Sequence, residues 1–198
     1  IYFDTENNDL IRTSIDKPAY KEKLRLRSYG VPEFNDIVFL EIKKKYNGIV
    51  NKRRTLLKLN QAYDFLFDGI MPSEGDYLNA QVLKELKFFM EFYNPVAKLF
   101  LAYDRVAMFG KDDENLRITA DRNIRTRRDD LRLEDGDYGD KLLQDGQVLI
   151  EIKTASSFPV WLVDILTELD MKGTSFSKYG TEYRQFMDNT LQKRGAIC

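Results

Sequence analysis

KEKLRLRSYG, residues 21–30, is the stretch from which the fold can be read. Side-chain direction alternates along a strand, so Leu24 and Leu26 fall on one face while Lys21, Lys23, Arg25 and Arg27 fall on the other. Gly30 stops the run. The pattern then recurs. In residues 40–43, Leu40 and Ile42 oppose Glu41 and Lys43; in residues 116–121, Leu116, Ile118 and Ala120 oppose Arg117, Thr119 and Asp121. In residues 148–153, Val148, Ile150 and Ile152 oppose Glu151 and Lys153. Four strands repeat one design, aliphatic on one face and fixed charge on the other. Two arrangements satisfy it: an open sheet with a wet charged face, or a sheet closed so that its charged faces converge on a water-filled interior, the aliphatic faces being covered by helices.

Working outward, turn residues and periodicity predict short strands at residues 1–4 and 10–14, a long one at 20–29, and a hairpin of 38–44 with 49–57 across Tyr46-Asn47-Gly48. The period becomes helical over 60–67 and again over 76–93, where Leu83, Leu86, Phe89 and Met90 recur at helical spacing before Pro95. Strands resume at 98–109, 116–121, 130–133 and 148–153. Helices follow at 159–170, opened by a proline, and at 178–191. This order predicts an α+β chain built on a curved antiparallel sheet or barrel with helices packed outside. The 198 residues suit one domain, 1–198.

Composition narrows the chemistry. Thirty-one Lys and Arg against thirty-two Asp and Glu leave a formal charge of -1, so any polyanion site must come from local arrangement. The absence of histidine excludes Ser-His-Asp and Cys-His nucleophile systems and HExxH zinc sites. A single cysteine, Cys198, excludes a disulfide framework and fits a reducing cytoplasm. No apolar run approaches the roughly 18–20 residues of a membrane span. There is no GxxxxGK[ST] loop, so a P-loop mode of nucleotide binding has no support. Near-neutral charge and the lack of an RNP1-like aromatic motif weigh against a nucleic-acid partner.

A converging charged interior would carry its own electrostatic signature. Two like charges about 6 Å apart at an effective dielectric of about 20 repel by roughly 3 kcal/mol. A lining with several Lys and Arg therefore calls for polyanions or carboxylates to offset it. Glu41, Asp121 and Glu151 are too few to neutralise the set; they suit a hard divalent cation or the holding of arginines in place. Basic groups with a carboxylate-held metal are a phosphate-handling combination.

At these residues the sequence resembles the VTC (vacuolar transporter chaperone) domain in its bacterial polyphosphate polymerase form, within the triphosphate tunnel metalloenzyme superfamily. The carrying segments are YFDT at 2–5, KEKLRLRSYG at 21–30, VFLEIKKKYNGIVNKRR at 38–54, LAYDRVAMF at 101–109, LRITADRNI at 116–124, LIEIKT at 149–154 and FSKYGTEY at 176–183. The resemblance implies an antiparallel tunnel that transfers the ATP γ-phosphoryl group to a growing polyphosphate end, with Mn2+ or Mg2+ assisting. ATP and inorganic polyphosphate or pyrophosphate are the implied partners. Alternatives are a tripolyphosphatase or nucleoside triphosphatase, and a non-catalytic polyphosphate- or inositol-phosphate-binding module. As implied catalytic residues it marks Arg25, Arg27, Lys43, Arg105, Arg117, Lys153 and Lys178. Substrate binding falls to Lys23, Lys52, Arg54, Thr119, Ser177 and Tyr179, with Arg53 an open alternative to Lys52 and Arg54 on its strand. Metal binding falls to Glu151, with Glu41 as a second carboxylate. The family pattern also implies a further basic strand upstream of Ile1, and Ser175 stands where some relatives have a lysine.

Overall fold

The computed structural model describes residues 1–72, 75, 78–155 and 157–195. Its elements are, in chain order, β1 (Tyr2–Asp4), α1 (Asp9–Ile15), β2 (Tyr20–Arg27), β3 (Ile37–Tyr46), β4 (Ile49–Lys58), α2 (Leu59–Asp68) and α3 (Ala80–Tyr93). There follow β5 (Val96–Phe109), β6 (Arg117–Arg127), β7 (Asp140–Lys141), β8 (Leu149–Lys153), α4 (Val160–Glu168) and α5 (Lys178–Gly195). All strands join one antiparallel sheet in the order β4-β3-β2-β1-β5-β6-β7, with β8 also pairing β6. The α+β class and the antiparallel sheet are as expected. The ladder itself is open: among the described residues, β4 and β8 each have one strand neighbour and do not pair with each other.

The period-two reading of β2 and β3 holds. Leu24, Leu26, Val38, Leu40 and Ile42 are buried, and with Leu57 of β4 they form the core beneath α2 and α3. From the helices, Leu59, Phe65 and Leu66 meet Leu83, Leu86 and Phe89 there. Gly69, at φ 70, ends α2, and Asn94 in the same left-handed region ends α3 ahead of Pro95. The Asn79 side chain accepts a hydrogen bond from Val82 N, which sets the start of α3 at Ala80 rather than near 76; residues 76 and 77 lie outside the described residues.

Three expectations are corrected. Residues 10–14 form helix α1, not a strand. Asp4, fully buried at the end of β1, accepts from Leu10 N and Ile11 N at 2.8 and 2.9 Å and so satisfies the first turn from a distance. Residues 130–133 form no strand: Asp130 has φ 49, and the Arg127 guanidinium donates to the carbonyls of Asp130, Arg132 and Tyr138, holding the segment in a loop. Helices do not cover every aliphatic face either. Val106, Met108 and Ile150, on the far half of the sheet, stay exposed.

Candidate functional site: a charged sheet face

Cross-strand register sorts the charged residues. Directly opposed residues of an antiparallel pair share a face. The rungs Lys23↔Lys43↔Lys52 and Arg25↔Glu41↔Arg54 therefore lie on the face opposite the core. Arg53 opposes Ile42 instead and bonds Glu85 of α3, so Lys52 and Arg54 are the residues on the charged face. On the other half, Arg105↔Asp121, Arg117↔Lys153 and Thr119↔Glu151 form the matching rungs.

Two buried carboxylates organise these cations. Glu41, 2% exposed, accepts from Arg25 Nε at 2.6 Å and has Lys52 Nζ at 2.9 Å. Asp121, 1% exposed, accepts both forks of Arg105 at 2.6 and 2.8 Å and Lys178 Nζ at 2.6 Å. Burial by itself would raise both carboxyl pKa values, but the paired cations outweigh it and hold them below the usual range. The Tyr103 ring lies under both Arg105 and Lys178, at 4.9 and 4.7 Å from its centroid.

The two halves meet electrostatically. Lys43 on β3 has its pKa lowered by burial and then by repulsion from Lys153 and Arg25, with Glu151 opposing the shift. Lys153 and Glu151 belong to β8, at the far end of the ladder from β3. The sheet is therefore curled enough to bring its ends within electrostatic reach. Glu151 and Lys153 form an exposed ion pair at 3.2 Å and, with Arg105, Arg117 and Thr119, line a small cavity of about 20 Å³. The Thr119 hydroxyl oxygen is buried without a hydrogen-bond partner.

Helix α5 brings the last group. Ser177 Oγ accepts from Gly180 N at the head of the helix and lies 3.5 Å from Lys23 Nζ. Burial, then Lys21 and Lys43, lower the Lys23 pKa to about 8, against an opposing pull from Asp4. Tyr179 is buried: its ring packs on Tyr2 at 5.1 Å and its hydroxyl donates to Asp4 Oδ2 at 3.2 Å. Its hydroxyl thus ties α5 to β1. Arg25 Nη1 donates to the Tyr2 hydroxyl at 3.4 Å. Asp4 and Tyr2 are positioning residues that the sequence reading did not single out; four hydrogen bonds accepted by one buried aspartate, from Thr5 N, Leu10 N, Ile11 N and the Tyr179 hydroxyl, are invisible to periodicity. A separate cleft of about 280 Å³, lined by Arg122, Lys141, Asp145 and neighbours, contains none of the expected site residues.

On this face of the curled antiparallel sheet, the cations outnumber the carboxylates that hold them. The VTC domain family model matches residues 1–187, and the chain belongs to that family. The family is associated with polyphosphate metabolism. No curated protein matches the chain. No helix among the described residues is long and apolar enough to cross a membrane.

Proposed function

We propose that the chain is an ATP-dependent polyphosphate polymerase whose charged face holds a phosphate chain between β2–β4 and β5–β8. One observation carries this reading: Lys43 of one half is acted on electrostatically by Lys153 and Glu151 of the other, across the curl of the sheet. A phosphate chain relieves the repulsion among these cations, which Glu41, Asp121 and Glu151 offset only in part.

In this reading the bond between the γ-phosphorus and its bridging oxygen breaks, and ADP leaves with that oxygen. A terminal oxygen of the polyphosphate forms the new bond to the phosphorus. The acceptor oxygen is already anionic, so no general base is required, which suits a chain without histidine. Arg25, Arg27, Lys43, Arg117 and Lys178 hold the phosphates in line, and catalysis is positioning plus charge stabilisation. Arg105 and Lys153 flank the transferring group.

The donor set fits Mn2+ or Mg2+ brought in with substrate phosphates. Among the described residues no three acidic side chains cluster as a self-sufficient metal site, but Glu151 faces the orphaned Thr119 hydroxyl on the adjacent strand. Mg2+ is commonly held by one or two carboxylates plus phosphate oxygens. Glu151 would hold the ion, with Thr119 beside it; Glu41 is engaged by Arg25 and Lys52. When bound, such an ion neutralises charge developing on the transferring group. A cytoplasmic setting supplies the ATP.

Incubation with ATP and Mn2+ tests the proposal: long-chain phosphate with stoichiometric ADP is the expected result. Orthophosphate alone would transfer the site to a hydrolase. Tight polyanion binding with no product, unaffected by Glu151→Gln, would make it a binding module; the polymerase reading requires that Glu151→Gln abolish turnover.

A further inference from the structure

One corner of the charged face is not cationic alone. Arg27 lies directly opposite Phe39, on the rung next to Arg25↔Glu41 and on the same face. Just beyond the end of β2, Tyr29 meets Phe39 edge-on, with ring centroids 5.6 Å apart at 87°. The Arg27 guanidinium lies over the Tyr29 ring at 4.4 Å, and Arg54 lies over Phe39 at 5.3 Å. Tyr29 is nevertheless 72% exposed. With a guanidinium over the ring and Phe39 in a T-shaped contact, that exposure leaves much of the ring surface to solvent.

Phosphates have no use for an open aromatic face; a heteroaromatic base does. The step along a strand from Arg25 to Arg27 is about 6.6 Å, so the platform adjoins the phosphate-handling cations. We propose that Tyr29, braced by Phe39 and Arg27, is the stacking platform for the base of the incoming nucleoside triphosphate, while Arg27 and Arg54 turn toward its phosphates. This deepens the polymerase reading and rests on it. The polyphosphate product carries no base, so the platform distinguishes donor from product: ATP would use it and the growing chain would not. Base stacking on an aromatic side chain tolerates any base, because every base offers a π-face. The platform therefore selects for a nucleoside without selecting strongly among nucleosides.

The bland alternative is that Tyr29 only holds Arg27 in place. The two are separated by comparing ATP with tripolyphosphate, which has the same phosphates and no base. Isothermal titration of the intact chain with each ligand, for the parent protein, Tyr29→Phe and Tyr29→Ala, provides the test. Stacking predicts that Tyr29→Ala weakens ATP binding by about tenfold, leaves tripolyphosphate within about twofold, and that Tyr29→Phe changes neither. Equal weakening of both ligands by Tyr29→Ala would reduce Tyr29 to a brace for Arg27 and overturn the platform, as would unchanged ATP affinity. If the parent protein binds neither ligand, the functional reading falls first and the platform with it. Circular dichroism of Tyr29→Ala at the titration temperature establishes that the fold is intact; a position this exposed is expected to tolerate the change.

Discussion

Replacing Asp121 with alanine removes the carboxylate that Arg105 and Lys178 share. Its two oxygens receive three N–H bonds between 2.6 and 2.8 Å while the side chain is 1% exposed. Breaking a fully enclosed ion pair from one side costs about 3–5 kcal/mol, because the partner charge is left unpaired. Arg105 and Lys178 retain side-chain exposures of 25% and 16%. Water screens part of the loss, and about 2–3 kcal/mol is expected. For a chain of this length that lowers Tm by about 4–12 °C. The orphaned cations are then open to another anion, so tripolyphosphate should restore more stability to Asp121→Ala than it adds to the parent protein. Thermal unfolding by circular dichroism, with and without tripolyphosphate at fixed ionic strength, measures both effects. An unchanged Tm, or a deficit that the polyanion leaves untouched, would refute the role of Asp121 as an internal counter-anion.

Lys23 should give polyanion binding a pH dependence. Its pKa is lowered to about 8, so tripolyphosphate affinity is expected to fall as pH rises through that value. Over the same window the unfolded chain holds more protons at this group than the folded one, so the ligand-free protein gains stability from it as pH rises from about 8 towards 10.5. Lys23→Met should flatten the affinity profile; a parent profile already flat between pH 7 and 9 would show that Lys23 does not contact the ligand. The neighbours Arg53 and Arg54 should separate cleanly. Arg54→Ala is expected to weaken tripolyphosphate binding and reduce its salt dependence, while Arg53→Ala should leave affinity alone and cost no more than about 1 kcal/mol of stability through the lost Glu85 pair. Equal effects on binding would contradict the assigned faces.

Much of the charged face was legible because period two is a strict geometric rule. Leu24 and Leu26 against Arg25 and Arg27 could be assigned from spacing alone, and so could Glu41 against Ile42. The Arg53 ambiguity was resolvable too. The two-residue Asn47-Gly48 turn pairs Tyr46 with Ile49, and counting outward pairs Lys43 with Lys52 and Glu41 with Arg54. Three consecutive basic residues hide their own parity, but the turn reveals it. Helix α1 was not legible, since Leu10 to Ile15 fits alternation nearly as well as a short helix. What decides it is Asp4, six and seven residues away from the amides it caps. Nor could the strands announce where the sheet would stay open, because ladder closure depends on pairing between residues far apart in sequence. The exposed Val106, Met108 and Ile150 follow the same logic: alternation assigns a face, and only packing says what covers it.

The whole account turns on where a phosphate chain sits. A crystal structure of the protein with tripolyphosphate locates it directly. Phosphate density bridging Arg25 and Lys43 on one side to Arg117 and Lys153 on the other is the expected result. Density confined to the outer surface, or to the cleft beside Arg122 and Lys141, would contradict it.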